Sequence, residues 1–297
     1  MNKISLPPEY NYIACFLTLA CNLKCSYCIN LQNDHTRRSV HHGRPPMGKK
    51  EWVAALNRIE ATEELPITIQ GGEPTVHPYF YDIIESVDKP MDLLTNVQFN
   101  MDEFKARILP SKFKRWAPYS SIRVSYHPEQ MELKDTATRV LSLLECGYQV
   151  GVWSVLVPKW EEHILNDAKP LFTKLGIDFR VKEMLDGGTE YGSECGTYKY
   201  KEAVGSPVLR ACMCRTTELL IAPDGSIHRC HSDLYNLRRG IGHILDEEFV
   251  LTRDFRSCSV YGDCSGCDIK VTTNRFQHEG WTSVEIKDVN WNEGTQR

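Results

Sequence analysis

The sequence predicts an α/β protein: an open, partial (β/α)6 TIM-like barrel followed by a small C-terminal cysteine-rich domain. Up to about residue 183, aliphatic and β-branched runs alternate with apolar residues at helical spacing. Six such units are fewer than the eight that close a full barrel. A Gly-rich segment follows Lys182, and seven of the twelve cysteines lie after Lys182. We therefore expect the barrel at residues 1–185 and the second unit at residues 186–297.

The predicted strands are short apolar runs bounded by polar or turn residues. They cover residues 13–19, 67–70, 91–95, 122–126, 150–157 and 178–182. Amphipathic helices are indicated between them, for example by Trp52, Leu56 and Ile59. In the C-terminal unit, segments 218–222 and 226–229 flank Pro223-Asp224-Gly225, which predicts a hairpin because Asp-Gly tolerates a tight turn.

Composition narrows the classes of function. A net charge of -4 with 25% charged residues gives no basic field for nucleic acid. No apolar run reaches the roughly 18 residues of a membrane span, and no apolar signal segment follows Met1. We expect a cytoplasmic protein without a membrane or nucleic-acid partner. In such a protein, cysteines at motif spacing favour metal over disulfides.

Three cysteines follow the first predicted strand with the spacing Cys21-x3-Cys25-x2-Cys28. Thiolates suit iron-sulfur clusters or zinc, and three on one loop can hold three corners of a four-iron cube. The fourth iron would then stay open to a substrate or cofactor, which implies chemistry. A zinc site, buried free thiols and a disulfide are the alternatives.

These residues resemble the radical S-adenosylmethionine (SAM) superfamily, whose hallmark is Cys-x3-Cys-x-aromatic-Cys, with Tyr27 at the aromatic position. The end of the second strand, Gln70-Gly71-Gly72-Glu73-Pro74, resembles the family's Gly-Gly-Glu-Pro motif, which contacts the amino group of SAM. The two glycines would let a backbone approach the ligand, and the carboxylate could accept hydrogen bonds from the ammonium group. The resemblance implies a [4Fe-4S] cluster that splits SAM into methionine and a 5'-deoxyadenosyl radical.

The third and fourth strand ends supply further candidates, because working residues of such barrels lie at C-terminal strand ends. Asn96 and Ser125 occupy positions that touch SAM in the family, although capping or turn-forming roles explain them equally well. Leu156 and Val157 could pack on adenine. The segment 29–47 is rich in His and Arg, for example Arg37, and could bind phosphate, but a solvated surface loop is the alternative.

The C-terminal cysteines resemble the Twitch form of the SPASM-type auxiliary domain. The resemblance implies a second [4Fe-4S] cluster with four ligands, Cys212, Cys230, Cys264 and Cys267. Cys214 could replace Cys212, and Cys258 is unassigned, so one of these two is either a spare thiol or displaces an assigned ligand. Four thiolates would suit zinc equally well. Cys195 is a candidate catalytic hydrogen-atom donor to a substrate radical, against the commoner alternative of a buried spare thiol.

The resemblance implies an enzyme, either an oxidoreductase or an isomerase. We expect it to oxidise or rearrange a small molecule, such as a sugar or nucleotide-linked metabolite, with a one-electron donor such as flavodoxin or ferredoxin. The alternative within the superfamily is a ribosomal-peptide maturase or epimerase. The alternatives of another class are an iron-sulfur electron carrier and a zinc-stabilised binding module.

Overall fold

The computed structural model describes residues 2–28, 30, 45–117, 119–183, 197–198, 210–261, 269–270 and 284–288. It confirms the expected α/β architecture. Six parallel strands alternate with helices through the first half of the chain. The strands are β1 (Tyr12–Thr18), β2 (Ile67–Gly71), β3 (Met91–Thr95), β4 (Ile122–Tyr126), β5 (Val150–Leu156) and β6 (Phe179–Glu183).

The helices that cover the outer face of this sheet are α1 (Lys49–Arg58), α2 (Phe80–Ser86), α3 (Met101–Arg107), α4 (Leu133–Glu145), α5 (Glu161–His163) and α6 (Lys169–Lys174). A π-helical turn, Ile164–Ala168, joins α5 to α6. A continuous apolar core lies between sheet and helices, and it includes Trp52, Leu56, Phe104 and Val140. Burial of these amphipathic stripes is the main force that closes the helices onto the sheet.

The C-terminal half contributes β7 (Thr197–Tyr198), β8 (Arg210–Thr216), β9 (Glu218–Ile221), β10 (Ser226–His228), α7 (His231–Tyr235), β11 (Gly242–His243), β12 (Arg256–Tyr261), β13 (Ile269–Lys270) and β14 (Val284–Asp288). The predicted hairpin is β9 and β10, and Gly225 at its turn has a φ of 83°. The turn needs this glycine because a Cβ there would lie 2.8 Å from the His243 ring.

The hairpin continues the barrel's own sheet. Strand β9 pairs in parallel with β1, so the sheet order is β11-β10-β9-β1-β2-β3-β4-β5-β6. Strands β12, β8 and β14 form a separate antiparallel sheet that carries Cys214 and Cys258. Because β1 to β6 run parallel, their carboxyl ends all lie at one edge of the nine-stranded sheet, and the site described next lies at that edge. Within the described residues, no helix has the length and apolar character needed to cross a membrane.

Candidate active site

The loop that carries Cys21, Cys25 and Cys28 follows β1 at the carboxyl edge of the sheet, and Cys21 is three residues beyond Thr18. The loop is compact: the backbone N–H of Leu23 donates to Cys21 Sγ at 3.3 Å, and the N–H of Cys28 donates to the Cys25 carbonyl at 3.3 Å. Burial raises the pKa of Cys25 to about 12, and the neighbouring thiols of Cys28 and Cys21 contribute to that rise. The three thiols are therefore close enough to repel one another as thiolates.

Residues at the ends of β3 and β4 hold the cysteine loop in place. Asn22 donates from Nδ2 to the Gln98 carbonyl at 3.0 Å and accepts at Oδ1 from Asn96 Nδ2 at 2.6 Å. The N–H of Ser26 donates to Glu129 Oε2 at 2.7 Å. The sequence analysis did not identify Asn22, Gln98 or Glu129, because their roles depend on contacts between segments far apart along the chain.

Tyr27, the aromatic residue of the motif, contacts His127 after β4. Its hydroxyl lies 3.0 Å from His127 Nδ1, and the two ring centroids are 5.9 Å apart. Burial lowers the pKa of His127 to about 4, so the imidazole is neutral at physiological pH, and its Nδ1 shares one hydrogen bond with the Tyr27 hydroxyl. The pKa of Tyr27 is raised by burial and by the adjacent Cys25 and Glu129. Tyr27 thus stays protonated and joins the cysteine loop to β4.

The two glycines of the second motif allow β2 to touch the end of β1. A Cβ on Gly71 would lie 2.1 Å from the Thr18 carbonyl oxygen, and one on Gly72 would lie 2.1 Å from the Ala20 carbonyl oxygen. Gly71 also has a φ of 139°, which a side chain would strain. The N–H groups of Gly72 and Glu73 donate to the carbonyls of Thr18 and Ala20 at 2.8 Å. The glycines therefore fix the base of the cysteine loop by close backbone contact.

Glu73 is 1% exposed and ties β2 to β3. Its Oε1 accepts hydrogen bonds from Thr75 N–H at 3.2 Å, from Thr75 Oγ1 at 2.7 Å and from Thr95 Oγ1 at 2.8 Å. Its Oε2 accepts from the Asn96 N–H at 2.6 Å. Burial raises the pKa of this carboxyl, and the hydrogen bonds oppose that shift. Pro74, which follows, is buried and opens a short 3-10 turn.

Asn96 connects Glu73, the carboxylate of the Gly-Gly-Glu-Pro motif, to the cysteine loop. Its backbone contacts Glu73, and its side-chain Nδ2 lies 2.6 Å from Asn22 Oδ1 and 3.8 Å from Cys21 Sγ. The next residue, Val97, is fully buried and has a φ of 58°. A β-branched residue in the left-handed region is strained, and such strain is concentrated at functional sites. Ser125 lies half-buried in β4, on the face of the sheet opposite the helices.

The chemistry of the donor set fits a [4Fe-4S] cluster. The neighbouring thiols of Cys28 and Cys21 raise the pKa of Cys25, so a cationic group is needed for the three to be present together as thiolates, and an iron-sulfur core supplies one. In the described part of the chain, no three His, Cys, Asp or Glu side chains converge on a single metal ion. A [4Fe-4S] cluster does not require such convergence, because each of its three thiolate ligands binds a different iron. Cys21, Cys25 and Cys28 are the residues that would hold it.

The C-terminal cysteines that the structure brings together are Cys214, Cys230 and Cys258. A hydrogen bond with Cys258, together with burial, raises the pKa of Cys214, and Cys230 lies near enough to add to that shift. Cys230 caps α7 and accepts at Sγ from the Asp233 N–H at 3.4 Å. Cys212 lies in β8 opposite Cys258 in the strand register. Cys214 and Cys258, which are not among the four ligands that the resemblance implies, are therefore neighbours of Cys230, which is one of the four.

Some predicted residues lie outside the described part of the chain. These are the catalytic candidate Cys195, the ligand candidates Cys264 and Cys267, and segment 31–44 of the His-rich and Arg-rich loop. Their assignments remain predictions.

A contact between an imidazole and a buried carboxylate, which the sequence did not predict, lies beside Cys230. His231 Nδ1 is 3.2 Å from Glu218 Oε2, and the Glu218 side chain is 1% exposed. The imidazole also packs on Tyr235, with ring centroids 6.1 Å apart. The Tyr235 hydroxyl is buried, and its pKa is raised by burial first and by the nearby Cys28 second. Helix α7 therefore extends from the C-terminal cysteines to the N-terminal cysteine loop.

No family model matches the sequence. Curated relatives do match, and two of them are described here. A GTP 3',8-cyclase from Aquifex aeolicus is 26% identical over 205 residues, which cover 64% of this chain and 60% of the relative. Mycofactocin maturase MftC from Mycobacterium tuberculosis is 24% identical over 184 residues, which cover 58% of this chain and 44% of the relative. The alignments thus span less than two thirds of either relative.

Solved structures share the fold. The native protein anSMEcpe with bound AdoMet and the Cp18Cys peptide superposes with a TM-score of 0.54 at 15% identity, covering 82% of this chain and 78% of that chain. A histidine-tagged form of anSMEcpe with bound AdoMet gives a TM-score of 0.52 at 16% identity with the same coverage. These likenesses confirm the partial-barrel fold class predicted from the sequence.

The cysteine motif and the curated relatives make this chain similar to radical SAM enzymes, and that similarity supports SAM and [4Fe-4S] clusters as cofactors. The cysteine-rich C-terminal region is consistent with a SPASM or Twitch domain.

Proposed function

We propose that this chain is an enzyme that cleaves SAM reductively at a [4Fe-4S] cluster bound by Cys21, Cys25 and Cys28, and then abstracts a hydrogen atom from its substrate. The supporting observation is the position of the three-thiol loop, at the carboxyl edge of a parallel sheet and in contact with Asn96. When bound, the cluster and SAM would supply the 5'-deoxyadenosyl radical.

The residues of this chain would bind and orient the cofactor. Glu73, with its charge held in place by donors from β2 and β3, favours the ammonium group of SAM nearby. Asn96 and the backbone at Gly71 and Gly72 shape the same corner, and Ser125 lies on the inner face of β4 for contact with the ribose. Tyr27 keeps the cysteine loop closed against β4.

A peptide is the better supported substrate class. Both MftC, a maturase, and anSMEcpe, with its bound peptide, support a role in ribosomal-peptide maturation or epimerisation. The small metabolite expected from the sequence has one specific supporter, the similarity to the GTP 3',8-cyclase. A one-electron donor such as flavodoxin or ferredoxin would start the reaction, and the net outcome is oxidation or isomerisation.

The C-terminal cysteines would bind a second [4Fe-4S] cluster. Cys212, Cys230, Cys264 and Cys267 are the proposed ligands, and the contacts of Cys214 make it the alternative to Cys212. Iron content separates the two assignments: Cys212→Ser or Cys214→Ser, whichever removes a ligand, should lower the iron content by about four per chain. If both variants keep the full iron content, neither residue is a ligand.

Oxygen-free purification of the Cys28→Ala variant tests the function. We expect this variant to lose SAM cleavage while the C-terminal cluster stays bound, because the two cysteine sets lie on different elements. Loss of both clusters together would contradict two separate sites. An electron carrier, the rival class, would leave SAM intact in the unsubstituted protein.

A further inference from the structure

The side-chain amide of Asn96 lies between the end of β3 and the cysteine loop, and the residue is 4% exposed. Its Oδ1 accepts from the Gln98 N–H at 2.9 Å, and its Nδ2 lies 2.6 Å from Asn22 Oδ1 and 3.8 Å from Cys21 Sγ. A primary amide has two N–H bonds, so one can point at each of these two acceptors. Both N–H bonds of the Asn96 amide therefore have an acceptor within the chain.

Backbone groups of Gln98 determine the orientation of the two amides. The Gln98 N–H can only donate, so the Asn96 atom that faces it is the oxygen. The Gln98 carbonyl can only accept, so the Asn22 atom 3.0 Å from it is the nitrogen. The nitrogen of Asn96 then faces the oxygen of Asn22, and turning either amide over would bring like groups together. The atom of Asn96 next to Cys21 is therefore a donor.

The turn that carries Asn96 is held from two sides. Val97 is fully buried, and its φ of 58° lies in the left-handed region, which is strained for a β-branched residue. Its N–H donates to Thr95 Oγ1 at 3.0 Å. Arg139 in α4 donates from Nη1 to the carbonyls of Val97 at 3.3 Å and of Phe99 at 3.1 Å. A strained conformation persists only where its surroundings impose it, so these contacts keep the Asn96 amide beside the cysteine loop.

Cys21 Sγ stands here for the thiolate that would bind one iron of the cluster. The Leu23 N–H donates to it at 3.3 Å, and Asn96 Nδ2 donates to it at 3.8 Å. Hydrogen bonds to the sulfurs of an iron-sulfur cluster stabilise the additional negative charge of the reduced state, so they raise the reduction potential. The Asn22 oxygen also lies 3.8 Å from Cys21 Sγ, and the Asn96 N–H on that oxygen weakens its repulsion of the same charge. Both effects of Asn96 favour reduction.

We propose that Asn96 is a positioning residue for the [4Fe-4S] cluster and raises its reduction potential through Cys21, in place of the SAM contact that the family resemblance implies. The juxtaposition of the Asn96 amide with Asn22 and Cys21 carries the proposal, because it engages both N–H bonds. The proposal rests on the proposed function, because it requires a cluster at Cys21, Cys25 and Cys28.

The reduction potential of this cluster in the holoenzyme, followed by electron paramagnetic resonance, tests the role of Asn96. Asn96→Leu nearly keeps the size of the side chain and removes its donors without adding a charge. We expect normal iron content and SAM affinity, but an equilibrium constant for reduction that is about fivefold lower, the effect of one ordinary hydrogen bond. The signal of the C-terminal cluster, recorded alone in Cys28→Ala, is subtracted from each spectrum.

Asn100→Ala is the matched control. Asn100 lies in the same connection between β3 and α3, and its Oδ1 accepts from the N–H groups of Asp102 and Glu103 at 3.1 Å. The substitution removes a helix cap, so we expect lower stability and an unchanged reduction potential. A potential that falls equally in both variants would arise from a loosened structure and would overturn the proposal.

An unchanged potential in Asn96→Leu also overturns the proposal, and a fall in SAM affinity at unchanged potential assigns Asn96 to the cofactor. If Asn96→Leu loses its iron, asparagine isotope-labelled at the side-chain nitrogen is incorporated into Asn22→Asp, which keeps the oxygen that accepts from Asn96. A magnetic coupling between the labelled nitrogen and the reduced cluster supports the proposal, and its absence contradicts it. Normal SAM cleavage with an unchanged potential refutes this inference alone, whereas an unsubstituted protein that binds no iron at the N-terminal motif refutes the proposed function as well.

Discussion

Replacing Glu73 with glutamine tests whether the carboxylate of the Gly-Gly-Glu-Pro motif contributes to SAM binding. The carboxylate accepts four hydrogen bonds, and every partner is a donor in the present arrangement. A glutamine amide keeps one oxygen, which can face Thr75 and Thr95, but presents N–H to the Asn96 N–H. One charge-assisted bond is lost and one buried donor is left unpaired, at a cost of about 2 kcal/mol in folding free energy.

The same change removes the charge that favours the SAM ammonium group. A hydrogen bond to a charged group contributes about 1.5–3 kcal/mol, so we expect SAM affinity to fall about tenfold to a hundredfold. Iron content should not change, because no atom of Glu73 belongs to the cysteine set. The assays are equilibrium binding of SAM to the reduced protein, iron analysis and urea unfolding.

Glu85→Gln is the matched control. Glu85 pairs with Arg107 on the surface, where an ion pair contributes about 0–1 kcal/mol. We expect normal SAM affinity in this variant. Unchanged SAM affinity in Glu73→Gln would refute the assigned role, and loss of iron would show that the carboxylate supports the cysteine loop rather than the cofactor.

Two further predictions concern the support of the cysteine loop. Gly72→Ala would place a Cβ 2.1 Å from the Ala20 carbonyl oxygen, so we expect the cysteine loop to shift and the iron content to fall. Gly48→Ala is the control and should keep its iron, because the nearest atom to its Cβ would be 3.7 Å away. Equal iron content in the two variants would contradict the close packing. Burial lowers the pKa of His127 from 6.5 to about 4, so the unfolded chain binds more protons between these values and stability should fall with falling pH there, by at most about 3 kcal/mol. His127→Gln should flatten this dependence in urea unfolding, and an unchanged slope would show that another group titrates.

The strands of the barrel could be predicted from the sequence. Strands β3 and β4 have the predicted bounds, and β1 and β2 differ by a single residue at their ends. Parallel strands buried on both faces read as continuous apolar runs, which is a strong local signal. The pairing of β9 with β1 had no such signal, because it joins segments from opposite ends of the chain.

The site was predictable only where a motif is local. Cys21, Cys25 and Cys28 are recognisable by spacing, but Asn22 and Glu129 take part through tertiary contacts alone. The glycines were expected to admit a ligand, and the structure shows that they first admit the end of β1. The sequence shows that a glycine can accept a close backbone contact, but it does not show which segment of the chain makes that contact.

The most direct test of the central claim is addition of SAM to the reduced, oxygen-free protein, followed by electron paramagnetic resonance and product analysis. An iron centre with one corner free of protein should change its spectrum when SAM binds and should yield 5'-deoxyadenosine and methionine. The Cys28→Ala variant should show neither response. A zinc-only protein, or an iron spectrum indifferent to SAM with no product formed, would contradict the account.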